Sequence, residues 1–412
     1  MSRLKNGLDH YNKTETTNIA NFKNKRGKKN INNLLYSINH NYSLYNTTDL
    51  SNNNQEHEYI HRTRSKDLIF KKEHITIDRE LNCLVDLIQL IDDYPVIQNA
   101  VYNINLDKIR KIRVPLVELN RMIGIHDLKV NILDQLLFYI QDFHLISGTI
   151  SGTISGEKTD KPKSIGGVDY MHTVLYGSPG TGKTEVAKII GQIFSKLGIL
   201  KNETFKKVVR SDLIAGYLGQ TAIKTSKVIK ESLGGVLFID EAYALGNSDN
   251  KDSFAKECID TLCEALSDNK DNLMVIIAGY EDELNSCFFS YNQGLKSRFP
   301  WVFKTDKYSA EDLKQIFLKK ITDIHWTFID ELKTSFFETN MARFPYYGRD
   351  MEILLLKTKI AHGRRVFCKP LAEKTRLNMV DLEKGFELFK KYNVKSDNER
   401  EKTERQSFMM YT

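Results

Sequence analysis

The chain has 412 residues, of which 41% are hydrophobic and 27% are charged, a composition typical of soluble proteins with two or three domains. It contains no run of 18 apolar residues and begins with a polar stretch, so it predicts neither a membrane span nor a secretory signal, and we expect an intracellular, cytoplasmic protein without membrane contact. Its five cysteines are scattered and form no CxxC pair, which argues against a disulfide framework or a zinc ribbon.

The net charge of +7 resides mainly at the N-terminus. Residues 1–40 contain eight Lys/Arg and two Asp/Glu, a net of +6, which leaves +1 for the rest of the chain. Residues 1–75 are rich in Asn, Lys and Ser without a sustained period, which predicts a disordered basic tail. Such a tail can contact phosphate backbones and keeps nucleic acid open as a partner. It also contains HEYIH (His57 to His61), but this zinc-protease pattern stands in an Asn-rich polar stretch, which does not predict the packed helix that a metal site needs.

Two amphipathic helices are predicted ahead of the main apolar runs. In a helical upstream segment, 76–115, apolar residues recur at helical spacing until Tyr94 and Pro95, where we expect the helix to end. A second helix is predicted at about 127–143. The stretch 147–165 is rich in Gly, Ser and Thr and predicts a flexible linker or surface loop.

The central region alternates short apolar runs with helical patterns. This alternation predicts an α/β domain at 116–306, in which helices cover both faces of a parallel sheet. The predicted strands are 173–176, 207–210, 236–239, 273–278 and 301–304, and the predicted helices are 184–196, 222–232, 254–266 and 281–289.

The C-terminal region is predicted to be all helical from Tyr308 onward. A capping box at Ser309 and Asp312 starts the first helix, and a long apolar stripe and a last helix follow. This pattern predicts a small helical domain at 307–395, ahead of a polar tail at 396–412.

A glycine-rich motif follows the first predicted strand of the sheet. Residues 177–184 read GSPGTGKT, an instance of GxxxxGK[ST], and lead into an amphipathic helix. Glycines let successive backbone N–H groups turn toward phosphate oxygens, Lys183 can neutralise phosphate charge, and the Thr184 hydroxyl suits Mg²⁺. The predicted nucleotide-binding residues are therefore Gly177, Ser178, Pro179, Gly180, Thr181, Gly182, Lys183 and Thr184.

A second motif supplies two carboxylates at the end of a buried strand. The apolar run 236–239 is followed by Asp240 and Glu241. We predict that Asp240 binds Mg²⁺ and that Glu241 orients or deprotonates the attacking water. An apolar run ending in two acidic residues is common by itself, and only its pairing with the phosphate loop makes it specific.

These two motifs and the trailing helical domain resemble the AAA+ ATPases. Several blocks are similar to the CbbX/CfxQ group, which includes stage V sporulation protein K. The blocks are DLIAGYLGQTAIKT (212–225), GGVLFIDEAYAL (234–245), VIIAGYEDEL (275–284) and GLKSRFP (294–300). The resemblance covers about residues 116–392 and implies a P-loop NTPase sheet, the AAA+ core, followed by a helical lid. It also implies that ATP with Mg²⁺ binds between the α/β domain and this lid.

The resemblance also implies roles for residues outside the two motifs. Arg298 matches the arginine finger, which reaches the γ-phosphate of a neighbouring subunit. Arg349 matches the first arginine of the second sensor, which contacts the γ-phosphate from its own subunit. Tyr217 and Leu218 match a loop that lines a central pore and grips a polypeptide, with a packed loop aromatic as the alternative for Tyr217.

Further positions match or depart from the group's pattern. Met122-Ile123-Gly124 matches a loop that packs on the adenine. The first sensor position reads Ala278-Gly279-Tyr280, without a polar Asn or Thr to position water. Glu352 stands where relatives often carry a second arginine.

We therefore predict an ATP-hydrolysing AAA+ ATPase with Lys183, Glu241 and Arg298 as catalytic residues. The resemblance implies a homo-oligomeric ring, expected to be a hexamer, that remodels or threads a protein client. One alternative is a nucleic-acid-associated motor or loader that uses the basic tail. Another is a scaffold that binds ATP without turnover, against which the intact Asp240–Glu241 pair argues.

Overall fold

The computed structural model describes residues 73–95, 97, 100–146, 169–217, 219–247 and 252–392. The basic tail up to residue 72, the HEYIH match, the loop at 147–165, Leu218 and the C-terminal tail lie outside these residues, so the predictions made for them stay predictions.

The upstream segment combines short helices with one pair of parallel strands, β1 (Glu73–Ile75) and β2 (Ala100–Tyr102). The tail prediction had included 73–75, which are extended and paired. The helices are α1 (Leu84–Asp93), α2 (Leu106–Arg110), α3 (Arg113–Asn120), α4 (His126–Ile140) and α5 (Phe143–Ile146). Helices α2 and α3 were not predicted, because each is too short to show a clear period. Nevertheless α3 buries Leu116 and Leu119.

A five-stranded parallel sheet forms the centre of the α/β region. Its strands are β3 (Thr173–Tyr176), β4 (Phe205–Val208), β5 (Val236–Ile239), β6 (Met274–Gly279) and β7 (Trp301–Lys304), in the order β4-β5-β6-β3-β7. Every residue of β3, β5 and β6 is buried, which explains why these strands read as continuous apolar runs. Strand β4 starts two residues earlier than predicted. It lies at the edge of the sheet, and its residues Lys206 and Lys207 interrupt the apolar run by which the buried strands are found.

Helices pack on both faces of this sheet, as predicted. They are α6 (Lys183–Lys196), α7 (Arg210–Leu213), α8 (Thr221–Ser232), α9 (Ser253–Asp268) and α10 (Glu281–Cys287). Side chains alternate along a strand. Phe238 therefore joins the core that contains Ile190 of α6, whereas Leu237 and Ile239 join a second core with Ile259 of α9. The sheet therefore separates the two cores, and the loops described below follow the carboxyl ends of its central strands.

The C-terminal region is helical, with one small strand pair in addition. It contains α11 (Ala310–Asp323), β8 (Thr327–Phe328), α12 (Thr334–Asn340), α13 (Gly348–Val366), β9 (Arg376–Leu377) and α14 (379–392). The predicted capping box is present, because the Ser309 hydroxyl accepts a bond from the Asp312 N–H and the Asp312 carboxylate accepts one from the Ser309 N–H. Strands of two residues are too short for an alternating pattern to reveal.

A buried ionic cluster attaches α14 to α13. The Asp381 carboxylate, 1% exposed, accepts hydrogen bonds from Arg365 Nε and from His362 Nδ1, both at 2.8 Å. The other imidazole nitrogen of His362 lies 3.1 Å from the Lys374 carbonyl. The carboxylate of Asp381 and both imidazole nitrogens of His362 thus have hydrogen-bonding partners, as buried polar groups usually do.

The described helices include none with the length and apolarity needed to cross a membrane. All five cysteines are free, and burial differs among them, since Cys258 and Cys263 are buried while Cys368 is exposed.

Candidate nucleotide-binding site

A cavity of about 640 Å³ lies where the carboxyl ends of β3, β5 and β6 face the lid. It brings together both sequence motifs and one lid arginine. The predicted site residues that line it are Gly177, Pro179, Gly180, Gly182, Lys183, Thr184, Asp240, Glu241 and Arg349. Residues separated by more than 160 positions in the chain therefore share one space, at the edge of a parallel sheet where ligands usually bind.

The phosphate loop is held in a form that side chains at its glycines would disrupt. Gly180 has φ +78°, and a Cβ there would lie 2.1 Å from the Tyr346 carbonyl oxygen. At Gly177, a Cβ would lie 1.8 Å from the Thr305 hydroxyl. Two predicted members of the loop do not line the cavity, since Thr181 is buried and donates its hydroxyl hydrogen bond to the Ser178 carbonyl. Ser178 and Thr181 therefore brace the loop from behind.

The Lys183 ammonium lies against the loop that precedes it. Its Nζ donates hydrogen bonds of 2.7 Å to the carbonyls of Gly177 and Ser178. Burial lowers the pKa of Lys183 to about 8, the nearby carboxylates of Asp240 and Glu241 oppose this decrease, and Arg349 adds to it. A lysine with these neighbours gains favourable interactions when an anion enters the cavity.

Asp240 and Glu241 stand at the end of β5, as the sequence predicted. The Asp240 N–H donates to the Val208 carbonyl, and its Oδ2 lies 2.6 Å from Nζ of Lys207. Glu241 has φ +52°, a left-handed conformation that is uncommon for a residue with a side chain. It begins the 3₁₀ turn Ala242–Leu245, which carries Tyr243 into the cavity.

The residues present fit a magnesium nucleotide. The Thr184 hydroxyl and the Asp240 carboxylate offer the hard oxygen ligands that Mg²⁺ prefers, and both line the cavity. The first N–H groups of α6 have no acceptor within their own helix and are available to phosphate oxygens. Lys183 and Arg349 add two cations to the same space. The donors therefore match a polyanion with a bound divalent cation.

The lid contacts the phosphate loop directly. The N–H of Gly348, the first residue of α13, donates to the Gly180 carbonyl at 3.2 Å. The Tyr308 hydroxyl donates to the Thr181 carbonyl at 3.2 Å, also joining the region after β7 to the loop. Glu352, the residue that departs from the group's pattern, pairs with Lys320 at 2.7 Å. A cation from α11 therefore lies beside the position where relatives often have the second arginine.

Apolar and aromatic side chains also line the cavity. They include Met122 and Ile123, from the stretch predicted to pack on the adenine, and Tyr308. Gly279 and Tyr280, from the atypical first sensor, also line the cavity.

Two predicted functional residues lie away from the cavity of this chain. Arg298 is half-buried, and its guanidinium donates to the Ser267 hydroxyl at 2.8 Å and to the Gly294 carbonyl at 2.6 Å. Tyr217 is 74% exposed on the loop between α7 and α8. This exposure argues against the alternative of a packed loop aromatic.

Several cavity residues were missed in the sequence. Burial raises the pKa of Tyr243 to about 12, with Glu241 contributing next, so this hydroxyl remains protonated beside the acidic pair. Tyr243 stands only two residues after Glu241, and this short spacing could have indicated that it lies in the same cavity. Lys320, by contrast, reaches the cavity only through the folding of α11 against α13, and no local pattern identifies it.

Comparisons with known proteins agree with this arrangement. Residues 173–300 match the model of the ATPase family associated with various cellular activities (AAA). A cfxQ-like protein of Acanthamoeba polyphaga mimivirus is 36% identical over 306 residues, which are 73% of this chain and 70% of that protein.

Two further relatives match shorter stretches. Stage V sporulation protein K of Bacillus subtilis is 38% identical over 48% of this chain and 64% of its own length. The chloroplastic ribulose bisphosphate carboxylase/oxygenase activase of Cyanidioschyzon merolae is 33% identical over 52% of this chain and 74% of its own length. The match to the mimivirus protein covers more than two thirds of both chains, and the chain therefore belongs to the CbbX/CfxQ family of AAA ATPases, which are ATP-hydrolysing enzymes.

Proposed function

We propose that the protein binds ATP with Mg²⁺ in this cavity and uses its hydrolysis, within a homo-oligomeric ring, to remodel or thread a protein client. The single observation that carries the proposal is the convergence of the phosphate loop, the Asp240–Glu241 pair and Arg349 on one cavity. In this proposal, 116–306 is the nucleotide-binding domain and 307–395 is the lid.

Each cavity residue has a role that its position supports. Lys183 and the N–H groups at the start of α6 hold the phosphates, while Thr184 and Asp240 hold the metal. Mg²⁺ supplies neutralisation of phosphate charge when it is bound. Glu241 accepts the proton of the attacking water, and Arg349 stabilises the γ-phosphate from the lid of the same subunit.

The position of Arg298 supports an oligomer. This residue lies outside the cavity of its own subunit, although its family counterpart acts on a γ-phosphate. Its guanidinium is held by a neutral hydroxyl and a carbonyl and can exchange these partners for a phosphate of an adjacent subunit. A hexameric ring is the assembly expected from the family.

The client is proposed to be a polypeptide that contacts Tyr217 and Leu218. Tyr217 presents an aromatic surface to solvent, and among the described residues, chain neighbours aside, none lies within 4 Å of a Cβ added at Gly216 or Gly219. An exposed aromatic on an open loop can contact many side chains with little specificity. One relative is named as the activase of a protein, ribulose bisphosphate carboxylase/oxygenase, which supports a protein client as a class.

Steady-state ATP hydrolysis tests the enzymatic part of the proposal. Wild type, Lys183→Ala and Glu241→Gln are measured with Mg²⁺, alone and with an unfolded polypeptide or single-stranded DNA. We expect Glu241→Gln to retain nucleotide binding and to lose about 10²–10⁴ in rate, the contribution of a general base. Stimulation by polypeptide supports the remodelling function, whereas stimulation by DNA alone favours a nucleic-acid motor that uses the basic tail. Absence of wild-type turnover contradicts the proposal and favours a scaffold.

A pair of matched variants tests the Tyr217 loop. Tyr217→Ala is expected to keep basal hydrolysis and to lose polypeptide stimulation. Ile223→Ala is the control, since Ile223 is 72% exposed on the neighbouring helix α8. Equal polypeptide stimulation in the two variants would exclude a gripping role for Tyr217.

A further inference from the structure

Two adjacent lysines on the edge strand β4 reach different carboxylates. Lys206 pairs with Glu231 of α8, while Nζ of Lys207 lies 2.6 Å from Oδ2 of Asp240. Side chains alternate along a strand, so consecutive residues point to opposite faces. Only the second lysine therefore contacts a residue of the proposed metal site.

The contact with Lys207 occupies an oxygen that a metal shell needs. Asp240 offers two carboxylate oxygens, and one of them, Oδ2, forms an ion pair with the Lys207 ammonium at 2.6 Å. A lysine ammonium and a divalent cation repel each other when both lie within a few ångströms of one carboxylate. The two cations therefore compete for Asp240.

The environment of Lys207 allows it to leave. Its side chain is 46% exposed, compared with 22% for Asp240. Its ammonium also lies 5.9 Å from the centroid of the Phe238 ring, a weak contact that does not fix it in place. Solvent can therefore hydrate the ammonium once the metal takes the carboxylate.

We propose that Lys207 is a built-in competitor of Mg²⁺: it holds Asp240 as an ion pair in the nucleotide-free protein and is displaced when the metal enters with the nucleotide. This inference rests on the proposed nucleotide site and adds a residue that sets its metal requirement. Removing the ammonium leaves Asp240 free to accept the metal. The metal concentration at half-saturation then falls.

The test measures metal binding directly. The full chain is saturated with ADP and titrated with Mn²⁺, whose free concentration is followed by electron paramagnetic resonance, for wild type and Lys207→Met. We expect half-saturation at about two- to fivefold less Mn²⁺ in Lys207→Met, the size that a partly exposed ion pair supports. Lys206→Met is the matched control and is expected to bind Mn²⁺ like wild type, because its partner is Glu231. Lys207→Arg keeps the cation and is expected to bind Mn²⁺ nearly as weakly as wild type.

Binding of a fluorescent ADP in the presence of a chelator separates this inference from the proposed function. We expect all four proteins to bind it alike, because Lys207 acts only through the metal. An unchanged or increased Mn²⁺ midpoint in Lys207→Met, with ADP binding intact, would overturn the competition and leave the nucleotide site standing. Absence of ADP binding in wild type would overturn both.

Discussion

Replacement of Gly180 by alanine tests whether the phosphate loop and the lid are mechanically joined. Gly180 has φ +78°, and a Cβ there would lie 2.1 Å from the Tyr346 carbonyl oxygen and 3.0 Å from the backbone nitrogen of Arg349. The left-handed conformation costs an alanine about 1–2 kcal/mol. The lid must also move away, which breaks the 3.2 Å bond from the Gly348 N–H to the Gly180 carbonyl and costs about 1 kcal/mol more.

The expected total for Gly180→Ala is a loss of about 2–3 kcal/mol in the free energy of unfolding, together with weaker ADP binding. Gly198→Ala is the matched control, because Gly198 has φ +77° but no residue in the described part of the chain, its neighbours aside, lies within 4 Å of an added Cβ. It carries only the conformational cost of about 1–2 kcal/mol. Urea denaturation and fluorescent ADP titration measure both variants. Equal destabilisation and equal ADP affinity in the two would refute the reasoning.

Two further predictions concern pH and the lid. Burial lowers the pKa of Lys183 to about 8, and phosphate binding requires the charged form of this lysine. The affinity for ADP should therefore fall above pH 8 and approach about a tenfold loss per pH unit. ADP titrations from pH 7 to 10 measure this, and an affinity that does not change with pH would contradict it. Burial raises the pKa of Asp381, but the hydrogen bonds from Arg365 and His362 outweigh this effect and leave the pKa below 3.8. The contribution of the Asp381 carboxylate to the free energy of unfolding is therefore present above pH 3.8 and is lost as the pH falls through the lowered pKa. Asp381→Asn should therefore lower the free energy of unfolding by about 3 kcal/mol at pH 7 and by much less in strong acid, as measured by urea denaturation. An equal loss at the two pH values would show that the charge of Asp381 is not responsible.

The parts of the fold that could be predicted from sequence are those with a strong local signal. Strands β3, β5 and β7 agree with the predicted bounds because two are buried throughout and the third begins with an aromatic residue. The GSPGTGKT motif specifies its own turn chemistry, and the structure places that motif before α6 as expected. Local sequence was weaker for α3, where Pro115 lies within the first turn and only Leu116 and Leu119 are fully buried among its larger residues.

Contacts between distant segments could not be predicted. Nothing near Gly180 in the chain indicates that the Tyr346 carbonyl will lie against it. The pairing of Lys207 with Asp240 likewise depends on β4 lying beside β5 in the sheet. Such contacts depend on tertiary packing, which local patterns in the sequence do not display. The role proposed for Arg298 differs from these contacts, because it was predicted from the family resemblance alone and its proposed ligand belongs to another copy of the chain.

The hydrogen bond between Gly348 and Gly180 attaches the first residue of α13, the longest described helix of the C-terminal region, to the phosphate loop. Helix α13 has 19 residues and begins at this bond, so it extends about 28 Å from the loop. A rotation of about 5° at the phosphate end carries the far end through about 2.5 Å. Phe367, 81% exposed just beyond that end, travels with it. If α13 turns as a rigid body, a small displacement at the phosphate loop therefore becomes a shift of about 2.5 Å at the far end of the helix.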